Sequence, residues 1–214
     1  MILSTETAVK VGEFLLDAKA VILRPEQPFS WASGWQSPIY CDNRKTLSYP
    51  AARTFIRNAM VEAVKQHFAD ADVIAGVATG GIAQGALVAQ EMDLPFIYIR
   101  SKAKGHGLTN AIEGAYEAGQ KVVVIEDLVS TGGSSLKAVQ ALREAGCEVL
   151  GMIAIFTYGF AVAEQNFQDA DVQLITLSDY HHMIDLAVSR GNVAASEVNN
   201  LTEWRKAPDQ WGQS

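Results

Sequence analysis

Glu126 and Asp127 stand side by side, and two residues later the chain reads Ser130-Thr131-Gly132-Gly133-Ser134-Ser135. A run of hydroxyls and glycines offers O–H donors and a main chain able to approach an anion closely. The paired carboxylates would repel a phosphate. They suit groups that donate to them, such as a ribose diol, or a divalent cation. Together the two halves describe a site for a ribose phosphate. An ordinary strand-to-helix turn also uses a serine cap and a glycine bend, and the acidic pair is what sets this stretch apart from it.

The flanking residues say what holds these groups in place. Val122-Val123-Val124-Ile125 is a short β-branched run of the kind a buried parallel strand shows, with the two carboxylates expected at its end. Leu136, Val139 and Leu142 then repeat at helical spacing. The open start of that helix carries unpaired N–H groups and the positive end of a dipole, which favours a phosphate. Neither G-x-x-x-x-G-K-[ST] nor G-x-G-x-x-G occurs, so this is not one of the common nucleotide loops.

Two further strand–loop units precede it. Residues 73–77 read as a buried strand, followed by Ala78-Thr79-Gly80-Gly81 and a helix to about Met92, so Thr79, Gly80 and Gly81 form a second anion-suited loop. The strand at 95–99 runs into a segment in which Arg100, Lys102, Lys104 and His106 recur at every second residue, with Gly105 and Gly107 beside the histidine. Charge runs are usually solvated faces. In this chain the segment is the densest positive cluster, and its glycines are hinge-like, which fits a lid that brings cations onto a leaving anion.

The remaining pattern is that of one α/β unit. A helix is expected over 6–23, an aromatic hairpin over 29–35, and an extended arm over 38–44. Ser48 is a candidate cap for a helix with Pro50 in its first turn. Strands are expected over 148–157 and 172–177, with a short helix near 162–167 between them. Ser178 or Asp179 is placed to cap a helix ending near Gly191. The tail beyond Trp204 is expected to be loosely held. His181-His182 points to two helix faces and lacks further ligands, which argues for surface or packing roles over metal binding.

Composition narrows the function classes. With 24 acidic and 17 basic residues the net charge is −7, which argues against a general binder of nucleic acid or anionic membrane. The two cysteines, Cys41 and Cys147, form no C-x-x-C and read as reduced thiols in a cytosol-like compartment. The N-terminus has no signal-peptide pattern, and no apolar run is long enough to span a bilayer.

The stretch I-E-D-L-V-S-T-G-G-S resembles the phosphoribosyl-diphosphate (PRPP) motif of the type I phosphoribosyltransferases. The run F-S-W-A-S-G-x-x-S-P-I-Y-C-D-N-R at 29–44 is similar to the hood of the orotate phosphoribosyltransferases, and R-x-x-x-K-x-H at 100–106 resembles their catalytic loop. This resemblance implies a type I phosphoribosyltransferase fold: an α/β architecture with a mostly parallel central sheet flanked by helices and a small N-terminal hood. Residues 1–46 would then be the N-terminal helix and hood, 47–204 the core, and 205–214 a polar tail.

The implied reaction joins orotate and PRPP to give orotidine 5′-monophosphate and pyrophosphate in pyrimidine synthesis. PRPP would be bound by Arg100, Lys102, Lys104, His106, Glu126, Asp127, Leu128, Val129, Ser130, Thr131, Gly132, Gly133 and Ser134, with Thr79 and Gly80 on the pyrophosphate. Lys104, His106 and Asp127 are the implied catalytic residues, and Ser130, Tyr40 and Arg44 the implied orotate contacts. Mg²⁺ is the implied cofactor, held mainly by PRPP and water, with Asp127 as a candidate ligand. A cytoplasmic homodimer sharing the catalytic loop between subunits is implied as well.

Two departures bear on the base. Ala32 stands where many relatives carry a lysine, and Tyr158-Gly159-Phe160 where many carry an arginine. Arg44 or backbone N–H groups would then meet the orotate carboxylate, with Arg44 as an ordinary surface charge the alternative. Rival readings are a purine phosphoribosyltransferase, disfavoured by the hood, and a PRPP-sensing regulator, disfavoured by the acidic charge and the absence of a preceding helix-turn-helix.

Overall fold

The computed structural model describes residues 1–30, 34–100 and 111–211. Its centre is a six-stranded sheet in the order β10-β9-β8-β5-β6-β7. The strands are β5 (Val73–Val77), β6 (Phe96–Ile99), β7 (Ile112–Glu113), β8 (Lys121–Val129), β9 (Glu148–Thr157) and β10 (Leu174–Asp179). Five run parallel, and β7 closes the β6 edge antiparallel. The expected mostly parallel α/β sheet is therefore present. Val122 to Ile125 are fully buried, as their unbroken apolar run requires.

The chain leaves β5 through α3 (Gly80–Met92) to β6 on one side, and leaves β8 through α4 (Gly133–Glu144) to β9 on the other. Parallel crossovers are right-handed, so connections running in opposite directions put α3 and α4 on opposite faces of the sheet. Neighbouring strands whose connections diverge leave a crevice at their carboxyl ends. Here that point lies between β5 and β8. Around the sheet α1 (Thr5–Asp17) packs on α6 (Tyr180–Ser189) and β10, α2 (Pro50–His67) packs on α3, and α5 (Ala161–Asp169) packs on α4.

The hood consists of two short antiparallel pairs. β1 (Val21–Leu23) pairs with β4 (Ile39–Cys41), and β2 (Phe29–Ser30) with β3 (Gln36–Ser37). The hairpin expected around 29–35 is thus seen, with Trp31, Ala32 and Ser33 outside the described residues. Among the described residues no helix is long and apolar enough to cross a membrane.

Several expectations need correction. The first helix stops at Asp17 rather than 23, because Lys19 turns left-handed (φ 50°) and Val21–Leu23 pairs with β4 instead. Ser48 does not cap α2: it ends a 3₁₀ turn over Asn43–Ser48, and Tyr49 occupies the cap position without a side-chain bond. Of the two candidate caps for α6, Asp179 is the one in place, accepting from the His182 N–H at 2.9 Å. The tail is not loose from Trp204 onward. α7 (Val198–Lys206) buries Trp204 completely, and Trp211 folds back to donate to Asn200 Oδ1 at 3.0 Å.

Ile125 lies at the middle of the sheet, between β5 and β9 and fully buried. Ile125→Ala should lower the unfolding free energy by about 2–5 kcal/mol, the usual range for such a cavity. Urea denaturation measures it, and a loss below about 1 kcal/mol would contradict that central position.

Candidate active site

β8 stays paired with β9 through Val129, opposite Thr157, whereas its pairing with β5 stops at Gly76 opposite Ile125. The strand therefore does not end at the acids, as expected from sequence, but carries them past the end of β5. Glu126 and Asp127 point to opposite sides by strand alternation. A cleft of about 460 Å³ opens there, lined on the core side by Val77, Ala78, Thr79, Gly80, Glu126, Asp127, Leu128, Ser130, Thr131, Gly132 and Ser134. Cys41, Asp42 and Arg44 of the hood arm form the opposite wall.

The two acids do different work. Glu126 is 5% exposed, and both its oxygens are engaged within the protein: Oε1 accepts from the Asp127 N–H at 3.0 Å and Oε2 from Ser135 Oγ at 2.8 Å. The second bond ties the strand to the first turn of α4. Burial, then the neighbouring Asp127 carboxylate, pushes the Glu126 carboxyl up to about 8, although the Ser135 bond favours its charged form. Asp127 is only partly buried, and Asn43 Nδ2 grips its main-chain oxygen at 2.6 Å.

The phosphate-suited loop is built by backbone geometry. Gly132 caps α4 in the left-handed region (φ 82°), which aims the first-turn N–H groups outward. Asn166 of α5 donates to the Thr131 carbonyl at 2.9 Å, and Thr157 Oγ1 to the Val129 carbonyl at 3.1 Å, so the loop is braced from two sides. The second loop crosses directly over the acids. A Cβ on Gly80 would collide with the Asp127 carboxylate, and one on Gly81 with the Ile125 carbonyl. Two bare glycines let the α3 start sit there.

In the hood wall, Asp42 accepts from Arg44 at 2.7 Å (Nε) and 3.1 Å (Nη2). That hydrogen-bonded guanidinium holds the Asp42 carboxyl below its usual range against the opposing effect of burial. Burial, then Asp127 and Asp42, raises the Cys41 thiol well above its ordinary value, so it remains a thiol and donates to Asn43 Oδ1 at 3.3 Å.

The structure thus brings together Thr79, Gly80, Glu126, Asp127, Leu128, Ser130, Thr131, Gly132, Ser134 and Arg44 around one cleft. Val129 lies buried beneath the loop, and Gly133 opens α4. Tyr40 is not among the lining residues: its ring lies 5.7 Å from the Phe29 ring and under the Lys45 ammonium. Arg100 pairs with Glu113 at 3.2 Å, at the edge of the sheet. Lys102, Lys104 and His106 lie outside the described residues. In the sequence Ser135 is one more hydroxyl donor of the loop and Asn43 part of the hood run, and the bonds they make to Glu126 and to the Asp127 carbonyl are not foreseen there. Ser135 closes the hydroxyl run, but nothing local says that it turns inward.

The chain matches the model of the phosphoribosyl transferase domain over residues 48–189. It is 57% identical over 202 residues to an orotate phosphoribosyltransferase of Porphyromonas gingivalis, covering 94% of this chain and 96% of that one. Among solved structures it is similar to the UMP synthase of Leishmania donovani (TM-score 0.78, 28% identity), covering 92% of this chain and 42% of that longer one. It also resembles the orotate phosphoribosyltransferase of Aeropyrum pernix (TM-score 0.73, 27% identity), covering 85% and 98%.

Glu126 generates a pH prediction. Its folded value is raised, so the folded state binds the proton more tightly than the unfolded chain does. That contribution is full below the unfolded value of about 4.5 and is lost as pH rises towards 8. In ligand-free protein Glu126→Gln should therefore flatten the fall of melting temperature across this window. Parallel curves for the two proteins would refute the assignment.

Proposed function

Because this chain belongs to the orotate phosphoribosyltransferases, within the phosphoribosyl transferase domain family, we propose that its cleft performs their reaction with the residues assembled above. The enzyme transfers the ribose 5-phosphate of PRPP to orotate, giving orotidine 5′-monophosphate and pyrophosphate in pyrimidine synthesis. The observation carrying the assignment of roles is the meeting of the acidic strand end and both glycine loops at the divergence of β5 and β8.

Ser130, Thr131, Gly132, Gly133 and Ser134 receive the 5-phosphate at the start of α4, where N–H groups and hydroxyls converge. Asp127 meets the ribose hydroxyls. Glu126 sets the position of Asp127 from below, its oxygens engaged by the Asp127 N–H and Ser135, Leu128 lines the wall, and Val129 holds the loop. Thr79 and Gly80 face the diphosphate. Arg44 takes the orotate carboxylate, since it is the described cation in the hood wall and its charge is only partly used by Asp42. Ser130 of the core loop completes the base contacts from the cleft, and Tyr40 of β4, outside the cleft lining, would join them only from the hood side.

Among the described residues no cluster of three His, Cys, Asp or Glu side chains is placed to hold a metal. The donor set is the Asp127 carboxylate beside the bare Cα of Gly80. This fits Mg²⁺ carried by diphosphate oxygens and water, with Asp127 as the protein's contribution. When bound, the ion neutralises charge on the diphosphate.

As the C1–O bond breaks, positive charge grows on the ribose ring and negative charge on the pyrophosphate. Asp127 lies on the ribose side. Arg100, Lys102, Lys104 and His106 stabilise the leaving group, and Lys104 or His106 delivers a proton to it. We place the enzyme in the cytoplasm as a homodimer sharing this loop between subunits, as the family resemblance implies. Cys41 and Cys147, both free thiols, are compatible with a reducing compartment.

With PRPP and Mg²⁺ present, orotate should be depleted spectrophotometrically while adenine, hypoxanthine and uracil are not. Turnover of a purine in place of orotate would overturn the base assignment. Lys104→Ala should depress kcat by about 100-fold or more, in the range of a lost general acid, with PRPP affinity changed far less. Unchanged turnover would remove Lys104 from the mechanism.

A further inference from the structure

α7, which no motif in the sequence marks, reaches both the hood and the turn after β9. Trp204 is fully buried, and its indole Nε1 donates to the Gln36 carbonyl of hood strand β3 at 3.1 Å, across 168 residues of sequence. Its ring lies 5.7 Å from Tyr158 and 5.4 Å from both Phe160 and Tyr180. The next residue, Arg205, donates from Nη1 to the Gly159 carbonyl at 3.0 Å.

The Gly159 turn is itself wired to the phosphate loop. The Gly159 N–H donates to Thr157 Oγ1 at 3.1 Å, and that hydroxyl and the Tyr158 N–H both donate to the Val129 carbonyl, at 3.1 and 3.2 Å. Val129 directly precedes Ser130. Tyr158, 2% exposed, has its hydroxyl held in the neutral form by burial, with Cys41, Tyr40 and Asp127 near enough to add to the effect. The turn after β9 therefore stands where the hood wall and the acidic strand end come together.

We propose that Trp204 and Arg205 are positioning residues for the orotate subsite, forming a clasp that fixes the hood hairpin and the Tyr158–Gly159 turn in register. The proposal rests on the reading of the cleft as an orotate phosphoribosyltransferase site. It gives the turn after β9 a cation delivered from the C-terminal helix. This guanidinium is spent on a main-chain carbonyl, so it shapes the base site and does not bind the base.

Trp204→Phe keeps an aromatic ring in the cluster and removes the N–H. It should raise the orotate KM about fivefold, the net worth of one hydrogen bond, with the PRPP KM and kcat at saturation little changed. Arg205→Met should raise the orotate KM similarly, and Arg205→Lys, which can still donate, should restore most of it. An unchanged orotate KM in both Trp204→Phe and Arg205→Met would overturn the proposal. So would an equal rise for both substrates in step with a fall in melting temperature, which is plain loss of packing. Hydrogen exchange tests the clasp without substrate: in Trp204→Phe, Phe29–Ser30 and Gln36–Ser37 should exchange faster while β8 stays protected. Unchanged exchange there would also overturn it, whereas failure of the unmodified protein to consume orotate would fall on the functional reading alone.

Discussion

The hydrogen bond from Ser135 to the buried Glu126 carboxyl is the constraint on which the cleft depends. It joins the end of a strand to the first turn of the following helix, so the eight residues between them form a closed loop of defined shape. A buried carboxyl without partners would be costly. Here both oxygens are engaged, and the group raises its own proton affinity to suit its surroundings. That arrangement frees Asp127 to face the cleft, and it gives two adjacent residues of the same chemical class unlike duties. Gly80 and Gly81 complete the arrangement by letting the second loop lie across the acids.

The hood is as much a part of this construction as the sheet. Its arm returns through a 3₁₀ turn in which Asn43, 1% exposed, donates to the Asp127 carbonyl, while Thr46 Oγ1 closes on the Asn43 carbonyl at 2.6 Å. Of the hood strands, β1 and β4 are seated by Val21 and Ile39, which enter the core, whereas the β2–β3 pair has no buried apolar residue. Polar contacts to distant parts of the chain add to this, from Asn43 on one side and α7 on the other.

The sheet and its two glycine loops were legible because their signals are local: β-branched runs, paired glycines, and a switch to helical period at Leu136. Where sequence reading erred, the deciding partner was remote. Val21–Leu23 continues the apolar pattern of α1, and only pairing with β4 makes it a strand. The charges at 126–127 look like a strand end, yet β9 continues to pair with β8 beyond them. α7 is short and mostly polar, and it is seated by the buried Leu201 and by Trp204, whose ring lies among Tyr158, Phe160 and Tyr180. The acidic pair lies at the cleft, but its inward and outward members were not distinguished, because that depends on Ser135 and strand direction. The basic segment at 101–110 falls outside the described residues.

The grip of Asn43 on the Asp127 peptide has a consequence for how the two substrates are felt. The amide belongs to the hood arm, which under the proposed reading walls the pyrimidine side, and the carbonyl to Asp127, which under that reading faces the sugar. Displacement at either end is thus transmitted through one short hydrogen bond. Linkage of this kind is reciprocal: whatever factor sugar occupancy contributes to the affinity for the base, base occupancy returns to the sugar. Cooperation between the ligands would then reside in a single subunit, in a contact made by neither of them.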